Sequence, residues 1–184
     1  MRQATGYTGI LSSEIKESAK LDRMKEIIED AKDNSRKVIV FSNWTQMTDK
    51  IISTISNDMR LNVCAITGQT PEADRQVLVN EFQEGKYDVI VGTIGAMGTG
   101  LTLTEATVEI FLDEPWNRAL KEQAEDRAHR IGQNSNVTIH TIMCRNSIDE
   151  RIHDLVYEKG ELSDAIVDNV IKGNKREVLE YLLS

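Results

Sequence analysis

Residues 87–112 read YDVIVGTIGAMGTGLTLTEATVEIFL, and this stretch decides the architecture. It opens on a short apolar run, Tyr87–Val91, and closes on a second, Val108–Leu112, with a glycine-rich segment between them. Short β-branched runs of this kind are what strands buried on both faces look like. Three more such runs stand on either side: Val38–Phe41, Leu61–Ile66 and Val137–Met143. Helical segments separate them, over Gln46–Ile55, from Pro71 to about Phe82, and across the charged stretch Arg118–His129. A proline in a first helical turn costs no hydrogen bond, because that N–H would be unpaired anyway. Strand–helix alternation of this length implies right-handed βαβ crossovers and a parallel sheet. The expectation is a five-stranded α/β domain over residues 36–145.

The flanks read differently. Residues 1–35 form a lead-in: the first dozen carry no period, then Leu21, Met24, Ile27, Ile28 and Ala31 recur at helical spacing on one face. From 146 to 184 the chain reads as a helical extension. Ser147 followed by Glu150 predicts a capping box, with Ile148, Ile152, Leu155 and Val156 as the apolar stripe and Gly160 as the stop. Ile166, Val167, Val170 and Ile171, then Val178, Leu179 and Leu182, supply later stripes.

Composition narrows the function classes. The 184 residues are 40% apolar, enough for a sizeable core, and carry a formal charge of -8 with a pI near 5.0. That balance argues against a free-standing strong nucleic-acid binder, while leaving room for a local contact face. Cys64 and Cys144 sit in apolar runs and read as buried thiols of a reducing compartment rather than as a disulfide. Two cysteines and three scattered histidines offer no zinc-ligand spacing. With no signal-peptide pattern and no membrane-length apolar run, the chain reads as soluble and intracellular, without a membrane partner.

Two segments could carry chemistry. Thr93–Leu101 follows the third strand at what would be the carboxyl end of the sheet, where ligands bind. Gly95, Gly98 and Gly100 would let backbone N–H groups approach an anion; a tight βα turn without ligand accounts for them equally well. No Lys-Ser or Lys-Thr follows these glycines, so this is not a Walker A loop. The second segment is Gln123-Ala-Glu-Asp-Arg-Ala-His-Arg-Ile-Gly-Gln133. Spacings of four and three put Gln123, Arg127 and Arg130 on one helix face. Two arginines held there can clamp a phosphate chain and stabilise charge in γ-phosphoryl transfer. Spacing alone leaves a solvated charged helix as the other reading.

The string DRAHRIGQ (126–133), preceded by Trp116-Asn117 and Gln123-Ala124, resembles motif VI of the Snf2 family within helicase superfamily 2. Other pieces stand in that family's order: Val38–Ser42 resembles motif IV, Gly98–Thr104 motif V, and Ser147–Ile152 the helix that closes the lobe. Ile66–Thr70, with Arg75 and Phe82 downstream, resembles the family's Gly-Ser/Thr turn before a helix. The resemblance covers about residues 18–160 and implies the second, C-terminal RecA-like lobe of a DNA-dependent ATPase: a parallel sheet with flanking helices and a helical C-terminal extension.

In such motors ATP sits between two lobes and duplex DNA tracks across both. Carried over, Arg127 and Arg130 are candidate arginine fingers, with Arg130 first, and Gln123 orients their helix or couples ATP to DNA. Gly98 and Gly100 would shape the motif V loop. Ser42, Thr67, Gly68 and Thr93 are candidates for phosphate-backbone contacts, and Trp116 for stacking at the lobe interface or near DNA. Met97, Thr102, Asn43 and Arg118 depart from the usual Gly, Asn, Gln and Pro, which weakens the DNA contacts more than the arginines. The Walker A lysine and the acidic Mg²⁺ ligands belong to the first lobe and are not in this sequence. The resemblance therefore implies ATP with Mg²⁺, a first-lobe partner and double-stranded DNA, with no hydrolysis by this chain alone. The other reading is a non-catalytic module, derived from that lobe, that binds DNA or protein.

Overall fold

In the computed structural model, the structure describes residues 18–97, 100–115, 118–128 and 135–158. Five parallel strands form one sheet: β1 (Lys37–Ser42), β2 (Val63–Ile66), β3 (Val89–Thr93), β4 (Ala106–Phe111) and β5 (Thr138–Thr141). Their order across the sheet is β2-β3-β1-β4-β5, and every pairing is parallel. All five expected strands are present, each within a few residues of its expected limits.

Helices cover both faces. On one face lie α1 (Ala19–Asp33) and α2 (Thr45–Ser53), packed with Val38, Val40, Val89, Val91, Val108 and Ile110. On the other lie α3 (Glu72–Gln83), the single turn α4 (Ile94–Met97) and α5 (Arg118–Glu125), packed with Ile39, Phe41, Ile66, Ile90 and Phe111. Alternate residues of β1, β3 and β4 thus feed two separate cores, which is why these central strands carry little polar alternation, while the edge strand β5 is polar and partly exposed. Among the described residues Glu109 is the one buried acid within a strand. α2 ends in a π-helical turn, Thr54–Asp58, and α6 (Ile148–Glu158) follows β5.

The lead-in helix does more than bury an apolar stripe. Ser18 caps it, accepting from the Leu21 amide at 3.4 Å, and Leu21, Met24, Ile27, Ile28 and Ala31 face the core as the spacing predicts. Lys20 is also buried, at 2% exposure. Its ammonium reaches the Leu112 carbonyl at 2.7 Å and the Asp149 carboxylate at 2.6 Å, joining α1 to the end of β4 and to α6.

The cap of α6 departs from the expected box. The Ser147 hydroxyl accepts from the Asp149 amide at 3.1 Å, and Glu150 accepts from the Asn146 amide at 2.8 Å, one residue earlier than a reciprocal box requires. Asn146 at φ 53° turns the chain into this helix. Gly160, the later stripes, and the side chains of Leu155 and Val156 lie outside the described residues.

Candidate functional site

The polar residues named from sequence fall into two groups, one at the carboxyl ends of β1, β2 and β3, the other on α5 and in the turn after it. In the first group the register sets Ser42 of β1 beside Thr93 of β3 and Ile66 of β2 beside Gly92. Thr67, the next residue after Ile66, therefore joins the row Thr67, Thr93, Ser42. Thr67 is half-buried and Gly68 exposed. The Thr67 hydroxyl accepts from the Gln69 amide at 3.3 Å, and the Thr67 amide donates to the Thr70 hydroxyl at 2.9 Å, so this turn holds itself open ahead of α3.

Ser42 sits deeper than Thr67. Its side chain is fully buried, and its hydroxyl donates to Asp113 Oδ2 at 2.7 Å while accepting from the Trp44 amide at 3.2 Å. The hydroxyl is already engaged inside the fold, so in this arrangement it is not presented to a phosphate. The same Asp113 oxygen accepts from the Asn43 amide at 3.2 Å, and the Asn43 side chain donates to the Glu114 carbonyl at 3.3 Å. These bonds tie the loop after β1 to the loop after β4.

In the second group, α5 carries Gln123 and leads into the turn that holds Arg127. Arg127 is only 8% exposed. Its Nε donates to the Gln123 carbonyl at 2.9 Å and its Nη1 to the Leu101 carbonyl at 3.3 Å. The Leu103 amide in turn donates to the Arg127 carbonyl at 2.9 Å. The segment after the glycine-rich turn is thereby locked to the end of α5. Gly100 is exposed at φ 74°, a conformation only glycine adopts without strain. Gly98, Trp116 and Arg130, all named from sequence, lie outside the described residues.

These geometries meet the comparisons with known proteins at one point. The family described as helicase conserved C-terminal domain matches residues 19–132, which include the central strands, the glycine-rich turn and the arginine segment. The chain belongs to that family. It is a RecA-like C-terminal lobe of the Snf2/SF2 helicase family. Relatives include an ATP-dependent helicase of Mycoplasma pneumoniae, 35% identical over 85% of this chain, and a chromatin-remodeling ATPase INO80 of Kluyveromyces lactis, 31% identical over 90%. The chain spans 15% and 11% of the length of these two. Among solved structures it is similar to the Sulfolobus solfataricus SWI2/SNF2 ATPase core in complex with dsDNA, with a TM-score of 0.75 and 30% identity. That match covers 91% of this chain and 36% of the other. It is also similar to the C-terminal part of the Fun30 ATPase domain, with a TM-score of 0.72 and 34% identity, over 76% of this chain and 45% of that one.

Within this Snf2-type lobe, Asp113-Glu114 closes β4 like a metal-binding pair, yet both carboxylates have internal partners. Glu114 is buried and accepts from Lys121 of α5 at 2.9 Å, while His153 of α6 stands 3.4 Å from its other oxygen. Lys121 also donates to the Thr141 hydroxyl at 2.9 Å. Among the described residues no group of three or more His, Cys, Asp or Glu side chains is arranged for a metal, and none of the helices is long and apolar enough to cross a membrane.

Two residues escaped the sequence reading. Gly92 faces Met97, whose fully buried side chain folds back from α4 onto the end of β3. A Cβ at Gly92 would lie 2.5 Å from the Ile66 carbonyl oxygen and closer still to the Met97 sulfur. The departure of Met97 from the family's glycine was legible; that Gly92 makes room for it was not. The other is Glu109, an acid inside an otherwise apolar strand. It is fully buried, and burial, reinforced by Glu125 and Asp126, pushes its pKa up to about 9.

Proposed function

We propose that this lobe completes an ATP site formed with a first RecA-like lobe and contributes part of a duplex-DNA track. The observation that carries the reading is the lock between the arginine segment and the glycine-rich segment, made by Arg127, Leu101 and Leu103. A movement of one segment is transmitted to the other, which is what coupling nucleotide state to DNA grip requires.

In this reading the two arginines divide the work. Arg127, with its guanidinium on the Gln123 and Leu101 carbonyls, is a positioning residue that fixes the turn. Arg130 is the arginine finger that meets the γ-phosphate held by the other lobe. Gln123, half-buried on α5, sets the helix through its carbonyl. ATP and Mg²⁺ supply the phosphoryl chemistry, with the metal's ligands on the first lobe. Thr67, Gly68 and Thr93 offer hydroxyls and amides to DNA phosphates, contacts that position without reading sequence. Ser42 shapes that surface from beneath. The similarity to an ATPase core solved with dsDNA supports duplex DNA as the track. The charge of -8 fits a lobe that grips only through such a local face.

The test is ATP turnover by the chain alone, with duplex DNA, and with a first lobe added as a separate polypeptide from a related motor. The expected result is background turnover in the first two and DNA-stimulated turnover in the third, abolished by Arg130→Ala. Turnover by the chain alone would overturn the reading. DNA or protein binding with no turnover in any combination would favour the non-catalytic module.

A further inference from the structure

Among the described residues four carboxyl groups are buried: Glu109, Asp113, Glu114 and Asp149. The last three accept bonds from Ser42, Lys121 and Lys20 respectively. Glu109 differs, because neither of its oxygens has a hydrogen-bond partner. It lies in the middle of β4, in register with Ile39 of β1 and Ile139 of β5, on the face covered by α5. The charges bearing on it come from Glu125 and Asp126, at the end of α5 and in the turn after it, and both are negative. Among the described residues the nearby cations look elsewhere: Arg127 toward two carbonyls and Lys121 toward Glu114 and Thr141. The Ala128 amide lies close enough to favour the ionised form slightly, but outside hydrogen-bonding geometry.

An ionised carboxylate in that position would be desolvated, unpaired and repelled by two others, so the group holds its proton through the neutral range. An apolar side chain would fill the position at lower cost, which points to a use for the acid. The turn after α5 that carries Arg127 packs on the same face, with Ala128 buried in that core and its backbone bearing on the Glu109 carboxyl.

We propose that Glu109 is a positioning residue for the Arg127 turn: neutral, it lets the turn seat against β4, and ionised, it drives the turn away from Leu101 and Leu103. The inference rests on the proposed motor function for its consequence, since unseating that turn would uncouple the arginine and glycine-rich segments. The sign follows from linkage. The folded-state pKa lies above that of the unfolded chain, so Glu109 makes the fold progressively less stable as pH rises from about 4.5 to about 9.

The experiment uses the whole chain without nucleotide. Thermal unfolding is followed from pH 5 to 9 for wild type, Glu109→Gln and Glu109→Leu, together with exchange of the Leu103 amide corrected for its intrinsic pH dependence. Relative to wild type, both variants are expected to gain roughly 5 °C or more in Tm between pH 5 and pH 8. Leu103 protection, which reports the bond to the Arg127 carbonyl, is expected to fall with pH in wild type alone and ahead of global unfolding. A pH-independent Tm difference, or Leu103 protection that only follows global stability, overturns the proposal. Should neither variant fold, carbon-13 titration of the wild-type Glu109 carboxyl decides: a midpoint near 9 supports it and one near 4.5 overturns it. Because no ATP turnover is read, failure of the motor reading would leave these results standing.

Discussion

The backbone amide of Leu103 donates to the carbonyl of Arg127 at 2.9 Å, so the segments after the glycine-rich turn and after α5 are joined through main chain. The Arg127 guanidinium adds a side-chain bond to Leu101 two residues earlier. An arginine used in this way is part of the fold. Arg127→Ala is therefore expected to cost about 3 kcal/mol, because it leaves two carbonyls without their charged donor. Arg127→Lys should recover only part of that, since an ammonium cannot reproduce the spread of the guanidinium fork. Urea unfolding of the isolated lobe measures both. An unchanged midpoint for the alanine variant would mean that these bonds add nothing to the stability of the lobe.

Gly92 and Met97 make a pair whose sizes are matched. Gly92→Ala is expected to destabilise the lobe by about 3 kcal/mol, in the range of overpacked cores. Adding Met97→Ala should return part of this, because the sulfur that meets the new Cβ is gone, while the Ile66 carbonyl remains 2.5 Å from it. The double-mutant cycle reads the coupling directly. Additive effects would show that Met97 is not what keeps position 92 small.

The strands, the crossovers and the lead-in helix were legible because burial on two faces writes unbroken β-branched runs and burial on one writes a period near 3.6. Thr67, Thr93 and Ser42 were named through the family resemblance, and the strand register is what sets them in one row. What stayed hidden depended on contacts far apart in the chain. Ser42 reads as a surface hydroxyl until Asp113, 71 residues on, takes its hydrogen bond. Arg127 carries no sign in the sequence of its bond to the Leu101 carbonyl, 26 residues earlier. Lys20 looks like a solvated helix residue, and only the meeting of α1, β4 and α6 buries it. Glu109 did carry a signal, a lone acid in an apolar run, though its lack of a partner is a matter of packing.

Lys20 and Asp149 form a pair with 2% and 5% side-chain exposure, and it bridges the two helices that flank the sheet domain in sequence. Removing one partner should cost more than removing both, because the survivor is left charged and buried. Lys20→Met is expected to lower stability by about 3–5 kcal/mol. Asp149→Asn should do likewise, while also weakening the acceptor of the Cys144 amide. The double variant is expected to lose less than the sum of the two. Denaturant unfolding of the four proteins measures this; strict additivity would show that the pair contributes no coupling.

The two thiols should separate in reactivity. Burial, with a smaller contribution from Glu81, pushes the Cys64 pKa from 9.0 up to about 12. Burial also raises that of Cys144, which remains partly exposed at the approach to α6. Alkylation proceeds through the thiolate, so a rise from 9.0 to about 12 leaves Cys64 about 1000-fold less of it at any pH well below both values. With iodoacetamide at pH 8, the folded lobe is expected to be modified at Cys144 first, with Cys64 labelled only in denaturant. Peptide mass mapping over time reads the order. Equal labelling of both in the native state would mean that β2, where Cys64 faces α3, opens far more readily than its burial between β3 and that helix implies.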